Sequence, residues 1–528
     1  METAAAAPSH VFLCVPPAPG RAYLPDGLEL TYDEVRVRVR DLRARYAAAG
    51  YGRGHRVALL LENRPEFFVH YLALNALGCG IVPINPDYRH DEMLYQMDHS
   101  DADLAVVLSG RVRDLERVAA ERTTPLPVVD ADALPSALPK PARARQPGEA
   151  ELDTECALLY TSGTTGRPKG CILTNFYYLN AGAWYGKHGG RIEIRHGRER
   201  FYNPLPLFHM NHQAVTATAA ILTANCLVMP ERFSPSRWWP DIITTGATIV
   251  HYLGVVPPLL LNQPPSADDR RHQVRFGFGA GVEPGLHPVF EERFGFPLVE
   301  VWGMTETGRC FGDCHEPRQV RTRAFGRPFG GLEARVVDDK DQEVAADTEG
   351  ELLVRWGGSE GPRHGFFSGY LKNAEATEEA WRGGWFHTGD VVRRSADGML
   401  YFVDRKKNII RRSGENIAAA EVEAVLQAHD AVAQVAVLAV PDELREEEVM
   451  ACVVPMPGIV ADRALAEALT AWCRARLAYF KAPGWILYLP ALPTTGTQKV
   501  QKTQIFPRGE DPRRQPGAVD LRDLKKRG

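Results

Sequence analysis

Apolar residues in this chain come in short runs separated by longer mixed stretches, a pattern that predicts strands alternating with helices. Residues 31–49 carry Asp33 and Glu34 at the start and stop at Gly50, which predicts a helix with acidic groups in its first turn and a glycine closing it. The run 56–61, apolar after Arg56, predicts a buried strand, 65–77 a helix, and 78–83 and 104–108 two further short strands. Residues 125–147, rich in Pro, Ala and Arg, predict a surface connection. Farther on, 203–212 predicts an extended run ending in polar residues and followed by an apolar helix, while 249–256, 274–278 and 298–301 predict strands. Such alternation predicts an α/β fold with largely parallel sheets.

From Gly350 the texture changes. Residues 351–355 and 399–403 predict antiparallel strands of a small β module. A boundary follows at 404–408. The remainder predicts a compact, small α+β domain, with helices at 420–428 and 461–476 and strands at 432–440 and 450–454, ending in a basic, proline-punctuated tail at 501–528. The expected division is a large N-terminal domain, 1–404, and a small C-terminal domain, 405–528.

Composition narrows the functional classes. The chain has 528 residues, enough for more than one domain, and a formal net charge of −4, which recommends neither nucleic acid nor an anionic membrane as the main partner. Its first residues, Met1-Glu2-Thr3-Ala4, hold no basic segment and no long apolar run, so no signal peptide is expected. The most apolar stretch, near 214–229, is interrupted by Thr216, Thr218, Thr223 and Asn225, and no membrane span is expected. Nine scattered cysteines, an odd number, point to a reduced, cytoplasmic protein. Cys310, Cys314 and His315 lie close together but lack a fourth ligand at zinc spacing.

The densest candidate chemistry lies in Tyr160-Thr161-Ser162-Gly163-Thr164-Thr165-Gly166-Arg167-Pro168-Lys169-Gly170, directly after the apolar run Cys156-Ala157-Leu158-Leu159. Glycines let backbone N–H groups approach an anion, Ser and Thr hydroxyls add donors, and Lys169 adds a cation, which together describe a phosphate cradle. It is not the Gly-x4-Gly-Lys-Ser/Thr loop, because Pro168 follows Gly163 by five positions and Lys169 precedes Gly170. Gly277-Phe278-Gly279-Ala280-Gly281 follows a predicted strand without dinucleotide-fingerprint spacing and reads equally as a tight turn. Trp302-Gly303-Met304-Thr305-Glu306 joins an aromatic plane, a hydroxyl and a carboxylate suited to a base, a phosphate and Mg²⁺, or forms a capped strand end. Gly357-Gly358-Ser359-Glu360-Gly361 matches a nucleophile elbow in letters only, since Gly361-Pro362 denies it the helix an elbow needs. Asp390 could accept from ribose hydroxyls or cap a turn, Arg405 could be a donor or a linker charge, and Lys499 sits in a turn-rich segment.

Taken in order, 161–170, 206–212, 279–281, 302–306, 385–390, 404–416 and Lys499 resemble the successive core motifs of the adenylate-forming superfamily, which includes acyl-CoA synthetases, luciferases and adenylation domains. The resemblance runs from Leu30 to Lys502. Within the superfamily the chain is similar to acid–CoA ligases of the carnitine/crotonobetaine–CoA ligase group, on Pro206-Leu207-Phe208-His209, the segment 263–270, Asp404-Arg405-Lys406 and Gly414-Glu415-Asn416. The resemblance implies ATP and coenzyme A as substrates together with a small-molecule carboxylic acid, Mg²⁺ as metal, and a mobile C-terminal domain that completes the site.

Residue by residue, it implies that Thr161, Ser162, Gly163, Thr164, Thr165, Gly166 and Lys169 hold the β- and γ-phosphates. Glu306 would coordinate Mg²⁺, Thr305 would touch the α-phosphate, and Gly279, Ala280, Gly281, Trp302, Gly303 and Met304 would surround the adenine end, with Asp390 and Arg405 on the ribose. Lys499 would bridge carboxylate and phosphate during adenylation, His209 would lie where the acyl carboxylate meets the nucleotide, and Lys407 would be the hinge. Arg411, Gly414 and Glu415 would face coenzyme A, and Trp184, His212, Gly254, Val255 and Phe278 would line the acyl pocket. One departure stands out: Gln498 occupies the position before the lysine where the family usually has glycine. Two competing functions are acyl transfer to a carrier protein and a luciferase-like or non-catalytic nucleotide binder. The polar wall formed by His209, Asn211, His212 and Gln213 favours a small or medium acid with a polar or aromatic group over a long alkyl chain. A homodimer is compatible with all of this.

Overall fold

The computed structural model describes residues 2–161, 167–254, 256–282, 284–405, 409–493, 502, 505–507 and 510–525. It divides into two compact units: Met1–Pro86 with Gln96–Leu159 and Gly170–Asp404, and Asp87–Tyr95 with Tyr160–Lys169 and Arg405–Gly528.

The first unit is built on two mostly parallel sheets. In the eight-stranded sheet, Arg200–Tyr202, Ile249–Leu253, Phe276–Ala280 and Leu298–Trp302 run parallel side by side, and Phe311–Gly312 adds an antiparallel edge. In the seven-stranded sheet, Arg56–Leu60 lies centrally between Gly80–Pro83 and Leu104–Val107, both parallel to it. Their residues are almost wholly buried on both faces, as continuous apolar strands of parallel sheets must be. A core running through Phe68, Tyr177, Ala181, Phe201 and Phe278 joins the layers, and a second cluster around Trp238, Tyr252 and Phe290 backs the eight-stranded sheet.

Local chemistry sets the helix ends. Thr31 caps the helix Tyr32–Ala49 by accepting the Glu34 N–H, while the Glu34 carboxylate accepts from the Thr31 N–H at 2.7 Å, a reciprocal box. Gly50, at φ +99°, ends it in the left-handed conformation. The antiparallel module follows as five strands, Ala324–Gly326, Leu400–Arg405, Phe386–Arg394, Glu349–Trp356 and Leu332–Val337, in that spatial order.

Three sequence expectations need correction here. The stretch 125–147 is not only a connection: Val128–Asp130 adds a parallel edge strand beside Leu104–Val107. The run 249–256 is a strand only to Leu253, and Val256 already begins the helix Val256–Leu261, whose first turn holds Pro257 and Pro258. The helix expected after His212 starts at Asn211 and is wound as a π-helix to Ala217 before tightening into Thr218–Leu222.

The second unit centres on the antiparallel pair Val432–Asp442 and Glu446–Pro455, with Trp485–Tyr488 parallel to the latter and the helices Ala419–Gln427 and Arg463–Arg476 beside them. Its core joins Ile410, Val422, Leu426, Val437, Val453, Leu469 and Ile486. Two buried ionic clusters lie in it: Lys481 bonds Glu92 at 2.8 Å and Glu421 at 2.9 Å, and Glu448 pairs with Arg412 at 2.7 Å and with Lys525.

Candidate functional site

Ligands of open α/β sheets bind beyond the carboxyl ends of the strands. Two adjacent carboxyl ends carry expected site residues here. Phe276–Ala280 leads into Gly281, and Leu298–Trp302 leads into Gly303-Met304-Thr305-Glu306. The two strands are in register through Gly279 and Glu300.

Gly279 is a glycine for steric reasons. A Cβ there would sit 2.2 Å from the backbone carbonyl oxygen of Tyr252 on the neighbouring strand. Gly281, at φ +87°, turns the chain. Glu300 secures that turn, its carboxyl accepting from the Gly281 N–H at 2.7 Å and the Val282 N–H at 3.3 Å, with the Tyr252 hydroxyl at 2.5 Å. Burial raises the Glu300 carboxyl to about 7, against the opposing pull of these hydrogen bonds.

The turn after Leu298–Trp302 is braced both by residues just after it and by residues far away in the chain. Cys310 Sγ would lie 2.6 Å from a Cβ on Gly303. Thr307 Oγ1 accepts the Met304 N–H at 3.2 Å and donates to the Arg309 carbonyl at 2.8 Å. The Tyr177 hydroxyl donates to the Thr305 carbonyl at 2.7 Å. The Tyr370 hydroxyl donates to Glu306 Oε1 at 2.9 Å, and the Phe367 N–H donates to the Glu306 carbonyl at 2.9 Å. Glu306 is thereby fixed in place while buried. Burial, followed by the Glu306 charge, pushes the Tyr370 phenol above its usual range, so it stays a donor. Nothing in the sequence singles out Tyr177 or Tyr370. Tyr370 belongs to the two-residue strand Gly369–Tyr370, antiparallel to Cys171 and Ile172, and only that pairing brings it here.

Trp302 and Asp390 meet. The indole N–H donates to Asp390 Oδ2 at 2.8 Å, and the buried Asp390 takes its position from the strand Phe386–Arg394, where its own N–H donates to Thr388 Oγ1 at 3.1 Å. The Trp302 ring is 6% exposed and stacks on Phe311 at 5.5 Å. What it does in this structure is hold a carboxylate.

In the second unit, Thr161 ends the strand Glu155–Thr161 and Lys169 opens Lys169–Thr174. Tyr95 braces this segment: its hydroxyl donates to the Pro168 carbonyl at 2.8 Å, and the Arg167 guanidinium lies 5.2 Å from its ring centroid. Arg411 lies on the strand Ile409–Arg412, its N–H donating to Glu447 Oε2 at 2.6 Å. Ser413 and Gly414, both at positive φ (52° and 84°), form the tight turn to Glu415, which is paired with Arg412.

Among the expected acyl-pocket residues, Trp184 and Phe278 are in ring contact at 6.4 Å, and Gly254 follows the strand Ile249–Leu253. His212 is fully buried, and its Nδ1 lies 2.6 Å from the Leu205 carbonyl, which identifies Nδ1 as the protonated nitrogen. Burial lowers the ring to about 4, with that carbonyl opposing. His209 sits in the preceding turn against Phe208, its N–H donating to the Pro206 carbonyl at 3.2 Å. Ser162, Gly163, Thr164, Thr165, Gly166, Val255, Lys407 and Lys499 lie outside the described residues, as does the side chain of Arg405 at the end of Leu400–Arg405.

Comparison with known proteins decides the family. The model of the AMP-binding enzyme family matches residues 2–371, and that of the AMP-binding enzyme C-terminal domain matches 421–499. The chain belongs to the AMP-binding enzyme family. It is 33% identical to the sulfoacetate–CoA ligase of Cupriavidus necator, over 92% of this chain and 95% of that one. It is 28% identical to the crotonobetaine/carnitine–CoA ligase of Proteus mirabilis, over 90% and 93%. The fold matches that of o-succinylbenzoate CoA synthetase from Bacillus subtilis with a TM-score of 0.81 at 24% identity, covering 97% of this chain and 98% of that one. As a member of this AMP-binding family, the chain is an acid–thiol ligase of the AMP-forming type. Among the described residues, no helix is long and apolar enough to cross a membrane.

Proposed function

We propose that this AMP-binding enzyme is an ATP-dependent carboxylic acid–CoA ligase. A carboxylate oxygen of the acid attacks the α-phosphorus of ATP, the bond between that phosphorus and the β-bridging oxygen breaks, and pyrophosphate leaves. The coenzyme A thiolate then attacks the acyl carbon, the bond from that carbon to the phosphate oxygen breaks, and AMP leaves. Two anions must approach each other in the first step, so fixed positive charge and oriented donors matter more than proton transfer.

The observation that carries this reading is the Trp302–Asp390 hydrogen bond, which unites two motifs 88 residues apart at one strand end, beside the braced Glu306. In this reading residues 161–169 hold the β- and γ-phosphates, Thr305 meets the α-phosphate, and the Gly279–Gly281 turn borders adenine. Gly303 and Met304 border the nucleotide alongside. Asp390, steadied by Trp302, accepts from the ribose hydroxyls, and Arg405 assists it. A buried carboxylate held by a tyrosine donor fits Mg²⁺, which takes one or two protein carboxylates and completes its shell with phosphate oxygens and water. Glu306 would hold that ion, whose chemistry is to neutralise phosphate charge. His209 borders the acid's carboxylate, and Lys499, carried by a C-terminal domain beginning at 405, supplies the mobile cation. Lys407 is the hinge, and the turn Arg411–Glu415 faces coenzyme A.

Both named relatives activate acids bearing a second charged group. That supports a small or medium polar acid over a long alkyl one. The test is purified enzyme with ATP, Mg²⁺ and coenzyme A against a panel of carboxylic acids, reading AMP and thioester by mass. AMP and thioester in equal amounts support the ligase; acyl-adenylate accumulating until a carrier protein is supplied contradicts coenzyme A as the acceptor.

A further inference from the structure

At the end of the helix Asn175–Lys187, the His188 imidazole is 5% exposed, and neither of its ring nitrogens finds a hydrogen-bond partner among the described residues. Trp184, one turn earlier, lies 4.8 Å from it between ring centroids, and its buried indole N–H is likewise without a partner there. His315 lies 5.5 Å from His188, and Phe329, 44% exposed, is 4.5 Å from His188 and 5.5 Å from His315. Buried polar groups left unpaired are costly, and two on adjacent rings can be satisfied together by one ligand that supplies the partners.

The chemistry of those partners follows from the donors. An indole N–H only donates, and each imidazole offers one N–H when neutral and two when protonated. Burial, followed by the neighbouring His315, lowers His188 to about 4, so its imidazole is uncharged at neutral pH. An acceptor-rich anion would fill every donor and, as an opposite charge, favour the protonated imidazoles. Of the charges near in sequence, Lys187 is exposed, the buried Asp313 accepts the Gln319 N–H at 2.5 Å, and Arg191 and Glu316 pair with each other at 2.5 Å on the surface.

The position bounds the ligand. The Trp184 indole touches Phe278, which is in register with Val299. The Asp313 N–H donates to the Glu300 carbonyl at 2.9 Å, which brings the segment to His315 alongside the same stretch. Val299 lies three residues before Trp302, a depth of about 10 Å at the rise of a strand. The cluster thus lies below the Trp302–Glu306 turn, at the far end of any acid whose reacting carboxylate meets that turn.

We propose that His188, with Trp184 and His315, receives a second acidic group, a carboxylate or sulfonate, at the far end of the acid this enzyme activates. The proposal rests on the ligase reading and names its substrate class.

The test compares adipate with hexanoate and suberate with octanoate, by kcat/KM for AMP release and by calorimetric binding, in wild type, His188→Phe and Trp184→Phe. Wild type favours the diacids by about ten-thousandfold, the discrimination of a site built to hydrogen-bond a polar group. His188→Phe abolishes that preference while holding or raising the unfolding midpoint, because it removes two unpaired buried nitrogens; a purely structural histidine would lower the midpoint instead. Trp184→Phe reduces the preference by about tenfold. A wild type that prefers the monoacids, or a His188→Phe variant that keeps the diacid preference, overturns the proposal. Should no acid release AMP, the ligase reading fails, and binding alone decides: diacid binding weakened by His188→Phe supports the site, and absence of diacid binding overturns it.

Discussion

At the scale of single residues, Glu300 is the group whose chemistry the surroundings change most usefully. Its carboxyl sits inside the sheet, holds the Gly281–Val282 turn, and titrates near 7 because burial outweighs its donors. A carboxyl raised in the folded state contributes its full stability below the ordinary carboxylate range and loses it as the pH rises through about 7. Glu300→Gln keeps an acceptor for Gly281 and a donor for Tyr252 without the charge. Urea unfolding at pH 5 and pH 8 is expected to show the variant gaining on wild type by on the order of 2–3 kcal/mol across that interval. A difference independent of pH contradicts this. Trp302 teaches a related lesson. Its letter in the motif suggests an aromatic plane for a base, yet its strongest visible interaction is the hydrogen bond to Asp390.

At the scale of elements, what the sequence made legible is what local pattern controls. The helix Tyr32–Ala49 was readable from Asp33, Glu34 and Gly50, and the alternation of apolar runs led to the parallel sheets. Where 249–256 changes from strand to helix was not readable, because a short apolar run looks alike in a buried strand and a buried helix. Val128–Asp130 was hidden because an edge strand three residues long leaves no periodicity. Tyr177, Tyr370 and His188, whose ring nitrogens find no partner among the described residues, were beyond reach for another reason: their significance lies in contacts across the fold. The same holds for Gly279, whose need for glycine comes from a neighbouring strand. Gly279→Ala, which meets the Tyr252 carbonyl at 2.2 Å, is expected to destabilise the enzyme by about 1–3 kcal/mol and to raise KM for ATP. Gly277→Ala, which meets the end of the Leu298 side chain at 2.7 Å, is expected to cost less, as thermal unfolding of the two would show. Equal losses would contradict the assignment of Gly279 to close strand approach.

At the scale of the whole molecule, the proposed mechanism has two half-reactions that would share one set of phosphate and sugar contacts but not one set of cations. Lys499 is assigned to the first alone. Lys499→Ala is therefore expected to lower acid-dependent pyrophosphate release by about a hundredfold or more, while thioester formation from synthetic acyl-adenylate stays near wild type. Equal loss of both would remove Lys499 from adenylation.

The central claim is that a carboxylate oxygen attacks the α-phosphorus. With an acid labelled by ¹⁸O in its carboxyl group, ATP, Mg²⁺ and coenzyme A, that oxygen must leave in the nucleotide. Mass analysis is predicted to find one labelled oxygen in each AMP and none in pyrophosphate. Unlabelled AMP, or label in a phosphate derived from the β- or γ-position, would contradict the acyl-adenylate route.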